Sequence, residues 1–217
     1  MANVIKTLLL TSQQTEQSQM ARKQSVRTSK VRDKIIKQAS LLFSKMGYTG
    51  TTMRDIAGNV GVLPGSLYAH IKSKEELLLE IVSSGMNSFL QIEVAVREMS
   101  GTAEQKLRYA VGRHIEVVAE DPAKMLIVFH QWRYLTQPNL GRAKRMRRSY
   151  AKFYSDLLKE GIAAGEFSSE LDSKVEVLAI MGALNWTPEW YRDGGAYSPA
   201  EIGAKIADIM ICGLRTR

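Results

Sequence analysis

Three sets of residues in this 217-residue chain could carry chemistry. Arg142, Lys144, Arg145, Arg147 and Arg148 put five cations within seven residues, a density that suits either phosphate binding or a solvated helix face. Asn185-Trp186-Thr187-Pro188-Glu189-Trp190-Tyr191-Arg192 sets indoles beside a guanidinium, as a flat ring ligand requires. Thr52 with Asp55, and Ser73 with Glu76, have the spacing at which a hydroxyl and a carboxylate satisfy each other's orphan N–H at a helix start. Catalytic spacing is missing. His70, His114 and His130 lack a zinc-type arrangement, and neither a strand-borne phosphate loop nor a nucleophile elbow occurs, so the chain is expected not to be an enzyme and to hold no metal.

Charge narrows the partners. The formal net charge is +8; residues 1–75 hold 12 Lys/Arg against 4 Asp/Glu, while residues 76–217 hold 18 of each. The whole excess lies in the first third, which points to a polyanion-binding module, for nucleic acid or an anionic membrane surface, joined to a neutral one. No apolar run approaches the roughly 18 residues that span a bilayer. Cys212, the single cysteine, excludes an internal disulfide and suits a reducing cytoplasm.

The elements that must position these groups read as helices throughout, so the fold class is all-α with about nine helices. Residues 1–28 form a polar segment with Arg22, Lys23 and Arg27 near its end, read as a flexible basic arm. A first helix opens near Ser29, with Val31, Ile35, Ala39, Leu42, Phe43 and Met46 on one stripe, and stops at Gly47. Met53, Ile56, Ala57 and Val60 give a second helix of barely two turns, ended by Gly61. Pro64 opens a third, expected to reach about Ile71. Ser73 opens a long fourth helix that buries Leu77, Leu78, Ile81, Val82, Phe89, Ile92 and Val96. Thr102, Asp121, Pro138, Asp172 and Ser198 mark later starts.

Two short helices joined by a glycine turn, behind a longer helix and inside the basic third, have the form of a helix-turn-helix. Residues 51–57, TTMRDIA, then Gly61-Val62, then GSLYAHIKSKEELL over 65–78, closely resemble the signature of the tetracycline-repressor (TetR) family of bacterial transcription regulators. Two positions depart from its pattern: Ile71 replaces the usual Phe, and Leu63 replaces a small polar cap that Pro64 offsets only in part.

The resemblance implies a helix-turn-helix domain over 29–75, a ligand-binding and dimerisation domain over 76–217, and double-stranded operator DNA as partner. It assigns phosphate contacts to Thr52, Tyr68, His70 and Lys74, with Arg54 facing phosphate or pairing with Asp55. Gly65 and Ser66 would enter the major groove, and Val62 and Leu63 would touch thymine methyls.

A homodimer is expected, through the last two helices, with Val175, Leu178, Ala179 and Gly182 on one and Ile202, Ile206, Ile209, Met210 and Gly213 on the other. The tryptophan segment, with Gly194-Gly195 and Ser198-Pro199-Ala200-Glu201-Ile202 after it, resembles the branch of the family that senses acyl-coenzyme A thioesters. The effector site is then expected from Trp132, Arg133, Arg145, Tyr154, Asn185, Trp186, Trp190 and Arg192, with an acyl-CoA as effector and no cofactor. The implied function is a cytoplasmic, homodimeric repressor released from a palindromic operator by that effector. Its rivals are a multidrug-type sensor, an acyl-CoA-binding enzyme and a membrane-surface module.

Overall fold

The computed structural model describes residues 30–215, and Arg22, Lys23 and Arg27 lie outside them. Among the described residues there are nine α-helices and no strand. The first, α1, is running at residue 30 and is assigned to residue 50, with Gly47 at φ 76 turning the backbone in its last stretch. Then follow α2 (Met53–Val60), α3 (Pro64–Tyr68), α4 (Lys74–Glu98), α5 (Ala103–Glu120), α6 (Pro122–His130), a 3-10 turn (Gln131–Tyr134), α7 (Asn139–Ala163), α8 (Ser173–Trp190) and α9 (Pro199–Leu214).

Capping chemistry explains most of the starts. Thr52, Thr102 and Ser198 form complete boxes with Asp55, Gln105 and Glu201, and Asp121 and Asp172 accept from nearby backbone N–H groups. The expected Ser73–Glu76 box is half made. Ser73 Oγ accepts from Glu76 N–H at 3.0 Å, but the Glu76 carboxylate takes the Lys72 N–H and the Arg32 guanidinium instead. Helix α3 stops at Tyr68, short of the expected Ile71. Leu63 supplies no side-chain cap, and the chain tightens past Tyr68 with His70 N–H bonding to Leu67 C=O.

A first cluster joins Ile35, Ala39 and Phe43 of α1 to Ile56, Ala57, Val60, Leu67 and Ile71, under Leu77 and Leu78 of α4. Ile71 is fully buried, so the aliphatic exchange at that position fills the core. Polar ties hold the unit: Arg32 joins α1 to Glu76 and Glu80 and to the His70 carbonyl, and Lys34 Nζ donates to Val60 C=O at 2.8 Å.

The remaining helices wrap the far end of α4, whose 25 residues span about 37 Å. Helices α5, α6 and α7 pack against it, α9 lies along α5, and α8 leans on α5, α6 and α7. Close approaches need glycine at Gly85, which lies against Val128, at Gly161, which lies against the Phe167 ring, and at Gly203, where a Cβ would stand 2.8 Å from Gly112 Cα. None of the helices among the described residues is long and apolar enough to cross a membrane.

Candidate DNA-binding head and effector cavity

Helix α3 buries one side chain, Leu67, and leaves its other faces open. Leu63 is 77% exposed and Tyr68 54% exposed, with Gly65 and Ser66 exposed between them. An exposed leucine followed by two small residues at a helix start gives the backbone close access to a groove and offers an apolar contact beside it. Val62 is half-buried against the core.

The groups around α3 are held in different ways. Thr52 Oγ1 donates to Asp55 Oδ2 at 2.7 Å while accepting from Asp55 N–H, so its hydroxyl is already oriented at the start of α2. The bonds from Thr52 keep the Asp55 carboxyl below the usual carboxylate range. Asp55 is therefore engaged with Thr52, and Arg54 is exposed and makes no ion pair among the described residues. Lys74 Nζ donates to Tyr48 C=O and Thr51 C=O, both at 2.8 Å, and sits 4.3 Å from the Tyr48 ring centre. It thereby fixes the turn before α2, with one of its three N–H donors left over. His70 is half-buried, and its carbonyl receives Arg32.

A cavity of about 240 Å³ opens to solvent between α4, α6, α7 and α8, with the exposed Leu178 and Arg148 at its rim. Met86 and Phe89 of α4, Phe129 of α6, Tyr150 and Ala151 of α7, and Leu178 and Met181 of α8 form its apolar wall; Asn185, Arg147 and Arg148 are its polar members. Arg147 is the best-held cation. Its guanidinium lies 4.9 Å from the Trp132 ring centre and donates to Val128 C=O at 3.3 Å. Burial, with a lesser push from the Arg133 charge, pulls its pKa down from the ordinary guanidinium value. A partly desolvated cation in an aromatic setting favours an anionic partner.

The expected effector residues do not all converge. Asn185 lines the cavity, Trp132 backs Arg147, and Tyr154 is fully buried behind Tyr150. Arg133, Arg145, Trp186, Trp190 and Arg192 are exposed, and Arg192 donates to the Tyr191 and Glu189 carbonyls. Within the cation run it is Arg147 and Arg148, and not Arg145, that reach the cavity. Met86, Phe89, Arg147 and Arg148 were missing from the expected site, although Arg147, Tyr150, Ala151 and Tyr154 fall at offsets 0, 3, 4 and 7 and share one helix face.

A second apolar surface lies on the outside of α8 and α9. Val175, Leu178, Trp186 and Ile209 are 57%, 73%, 58% and 73% exposed. Beside them Ala179, Ala183, Ile206, Met210 and Gly213 line a groove of about 350 Å³.

The head also touches the larger unit away from α4. Gln131 Nε2 donates to Phe43 C=O at 2.7 Å, and Tyr134 stacks on Tyr48 at 5.6 Å. At the first turn of α4 itself, Glu75 accepts from Thr136 N–H and Oγ1 and from Asn139 Nδ2.

Comparison with known proteins agrees with this arrangement. Residues 35–81 match the family of bacterial regulatory proteins of the tetR type, and residues 100–214 match the tetracyclin repressor-like C-terminal domain. The transcriptional repressor KstR2 of Mycolicibacterium smegmatis is 27% identical over 184 residues, covering 84% of this chain and 90% of its own. The structure of the ketosteroid regulator KstR2 of Mycobacterium tuberculosis superposes with a TM-score of 0.80 at 24% identity, over 86% of this chain and 95% of that one. AibR, solved with isovaleryl coenzyme A and operator DNA, superposes at 0.73 with 24% identity, over 85% and 97% of the two chains. Matched across both its helix-turn-helix and its helical remainder, the chain belongs to the TetR family and is a DNA-binding transcriptional regulator.

Proposed function

We propose that this regulator is a homodimeric repressor whose operator affinity is lowered by an acyl-CoA thioester bound in the cavity between α4, α6, α7 and α8. The observation that carries the reading is the pairing of a mostly apolar, aromatic wall with the desolvated guanidinium of Arg147 and its neighbour Arg148. An acyl chain suits the wall, and the coenzyme phosphates suit the cations. Two guanidinium groups at one cavity disfavour the cationic drugs of a multidrug sensor. AibR, whose structure holds isovaleryl coenzyme A, supports the same ligand class.

In this reading residues 29–75 are the DNA-binding head and 76–217 the effector and dimerisation body. Thr52, Arg54, Tyr68, His70 and Lys74 face phosphate, while Val62, Leu63, Gly65 and Ser66 meet the major groove. The exposed α8–α9 face joins two chains, so that two recognition helices reach successive grooves about 34–36 Å apart. Trp186 then belongs to the dimer face. A protein that must find operator DNA works in the cytoplasm.

Effector binding acts on the head through α4 and through the contacts of Gln131, Tyr134 and Glu75. Shifting the conformers from 1:99 to 99:1 requires the effector to prefer the released form by about 10⁴-fold, roughly 5.5 kcal/mol. Titrating the operator complex, followed by fluorescence polarisation, with CoA thioesters of graded chain length, free CoA and cationic drugs tests this. Release by thioesters alone is expected, and release by the drugs alone would reject the acyl-CoA reading.

A further inference from the structure

Behind the cavity wall lies a buried polar relay that the phosphates of a CoA ester have no use for. His114 of α5 is fully buried, stacked 4.4 Å from Phe89 and 5.9 Å from both Phe129 and Tyr150. Those three rings also line the cavity, so His114 stands one aromatic layer behind it. Its Nδ1 is 3.1 Å from Tyr150 Oη, which is 3.3 Å from Tyr154 Oη, and its Nε2 has no hydrogen-bond partner.

The direction of the relay follows from counting protons. Burial pulls the His114 pKa down to about 3 and pushes both tyrosine hydroxyls up, so at neutral pH the imidazole carries one N–H and both phenols keep theirs. If Tyr154 donates to Tyr150 and Tyr150 donates to His114 Nδ1, both hydroxyl protons find acceptors, and the imidazole proton sits on Nε2. In the opposite order the Tyr154 proton and the Nε2 lone pair would both lack partners. The first order is favoured, and it leaves one N–H donor unsatisfied among aromatic rings.

A cavity of about 240 Å³ is smaller than the roughly 300 Å³ at which small-molecule pockets begin. A bound effector has to enlarge it, and displacing Phe89 or Phe129 uncovers the imidazole. We propose that the His114 Nε2–H is a specificity determinant that reads an oxygen acceptor, a carbonyl or hydroxyl oxygen, on the acyl part of the effector. Tyr150 and Tyr154 are positioning residues that keep the proton on Nε2. The inference rests on the cavity being the effector site proposed above and narrows its ligand to oxygenated acyl groups.

The test uses matched CoA thioesters of equal length, one with a plain alkanoyl chain and one with a keto oxygen in its distal half. Each is titrated calorimetrically into the full-length wild type and into His114→Phe, which keeps the stacking and removes the donor. The wild type is expected to bind the keto thioester about 10- to 100-fold more tightly, the range for satisfying one buried donor, and His114→Phe is expected to bind the pair alike. Equal binding by the wild type, as a resident water on Nε2 would produce, overturns the proposal, and so does a preference that survives in His114→Phe or, should that variant not fold, in His114→Leu. If neither thioester binds, the acyl-CoA reading falls by itself. The inference is then read from thermal shifts with cyclohexanone and methylenecyclohexane, where equal stabilisation overturns it and a preference for the ketone that needs His114 upholds it.

Discussion

Ile209→Ala separates the proposed dimer face from ordinary core. Ile209 is 73% exposed in the single chain, so truncating it removes little that the protomer itself buries. Fully covering an isoleucine contributes about 1.5–3 kcal/mol, and nearly three-quarters of that remains to be gained at an interface, about 1–2 kcal/mol per side chain. Twofold symmetry makes one substitution act twice, giving about 2–4 kcal/mol and a dimer about 30- to 1000-fold weaker. Sedimentation velocity over a dilution series reads the dissociation constant, while chemical denaturation well below it reads the protomer. The expected result is a weaker dimer, an unchanged protomer and a parallel loss of operator affinity. Val94→Ala, exposed but on α4, is the control and should change none of these. An unchanged dimer in Ile209→Ala would refute the assignment of the face.

Gly203→Ala should destabilise the protomer by about 1–3 kcal/mol, because its Cβ meets the Gly112 backbone, which has no side chain to move aside; calorimetry should show a loss of about 2–4 °C per kcal/mol. His114 is neutral in the fold with a pKa of about 3 and titrates near 6.5 when unfolded, so the unfolded chain gains a proton first as pH falls. Stability from this group is intact above about 6.5 and is lost toward pH 3, by up to about 3 kcal/mol at pH 4, and His114→Phe should flatten that part of a urea-denaturation pH profile. Leu63→Ser supplies the missing cap of α3 and should stabilise the head by about 0.5–1 kcal/mol in chemical denaturation; a loss would mean that the exposed leucine holds the turn. Glu75→Ala removes the bonds to Thr136 and Asn139, and the ratio of effector affinities with and without operator should shrink by about 0.5–2 kcal/mol of coupling; an unchanged ratio would leave the coupling to the length of α4 and the Gln131 and Tyr134 contacts.

Helix starts were readable because capping is local. The Thr52–Asp55, Thr102–Gln105 and Ser198–Glu201 boxes each close within four residues, and all three form as their spacing implies. The Ser73–Glu76 box fails for the opposite reason: its carboxylate is claimed by Arg32, 44 residues away, and no local pattern reports that competition. The same distinction governs the sites. The exposed Leu63, Gly65, Ser66 and Tyr68 follow from a five-residue helix that can bury only Leu67.

The cavity was harder to see, since clustering along the chain does not specify a helix face. Asn185 and Trp186 are adjacent in sequence, yet one step of about 100° around α8 sends the asparagine to the cavity and the indole to the outer surface. Trp190 and Arg192 continue along the chain without returning to that cavity face, so the tryptophan segment never gathers into one site. Offsets of 0, 3, 4 and 7 on α7 carry the opposite lesson. They align Arg147 with Tyr150, Ala151 and Tyr154, and an arginine at the head of an otherwise apolar and aromatic stripe needs a ring face, a carbonyl or an anion to offset its loss of water. Trp132 and the Val128 carbonyl supply the first two and leave room for the third, which is why a cation in register with a core stripe is a sharper mark of the proposed effector site than the denser run of charge around it.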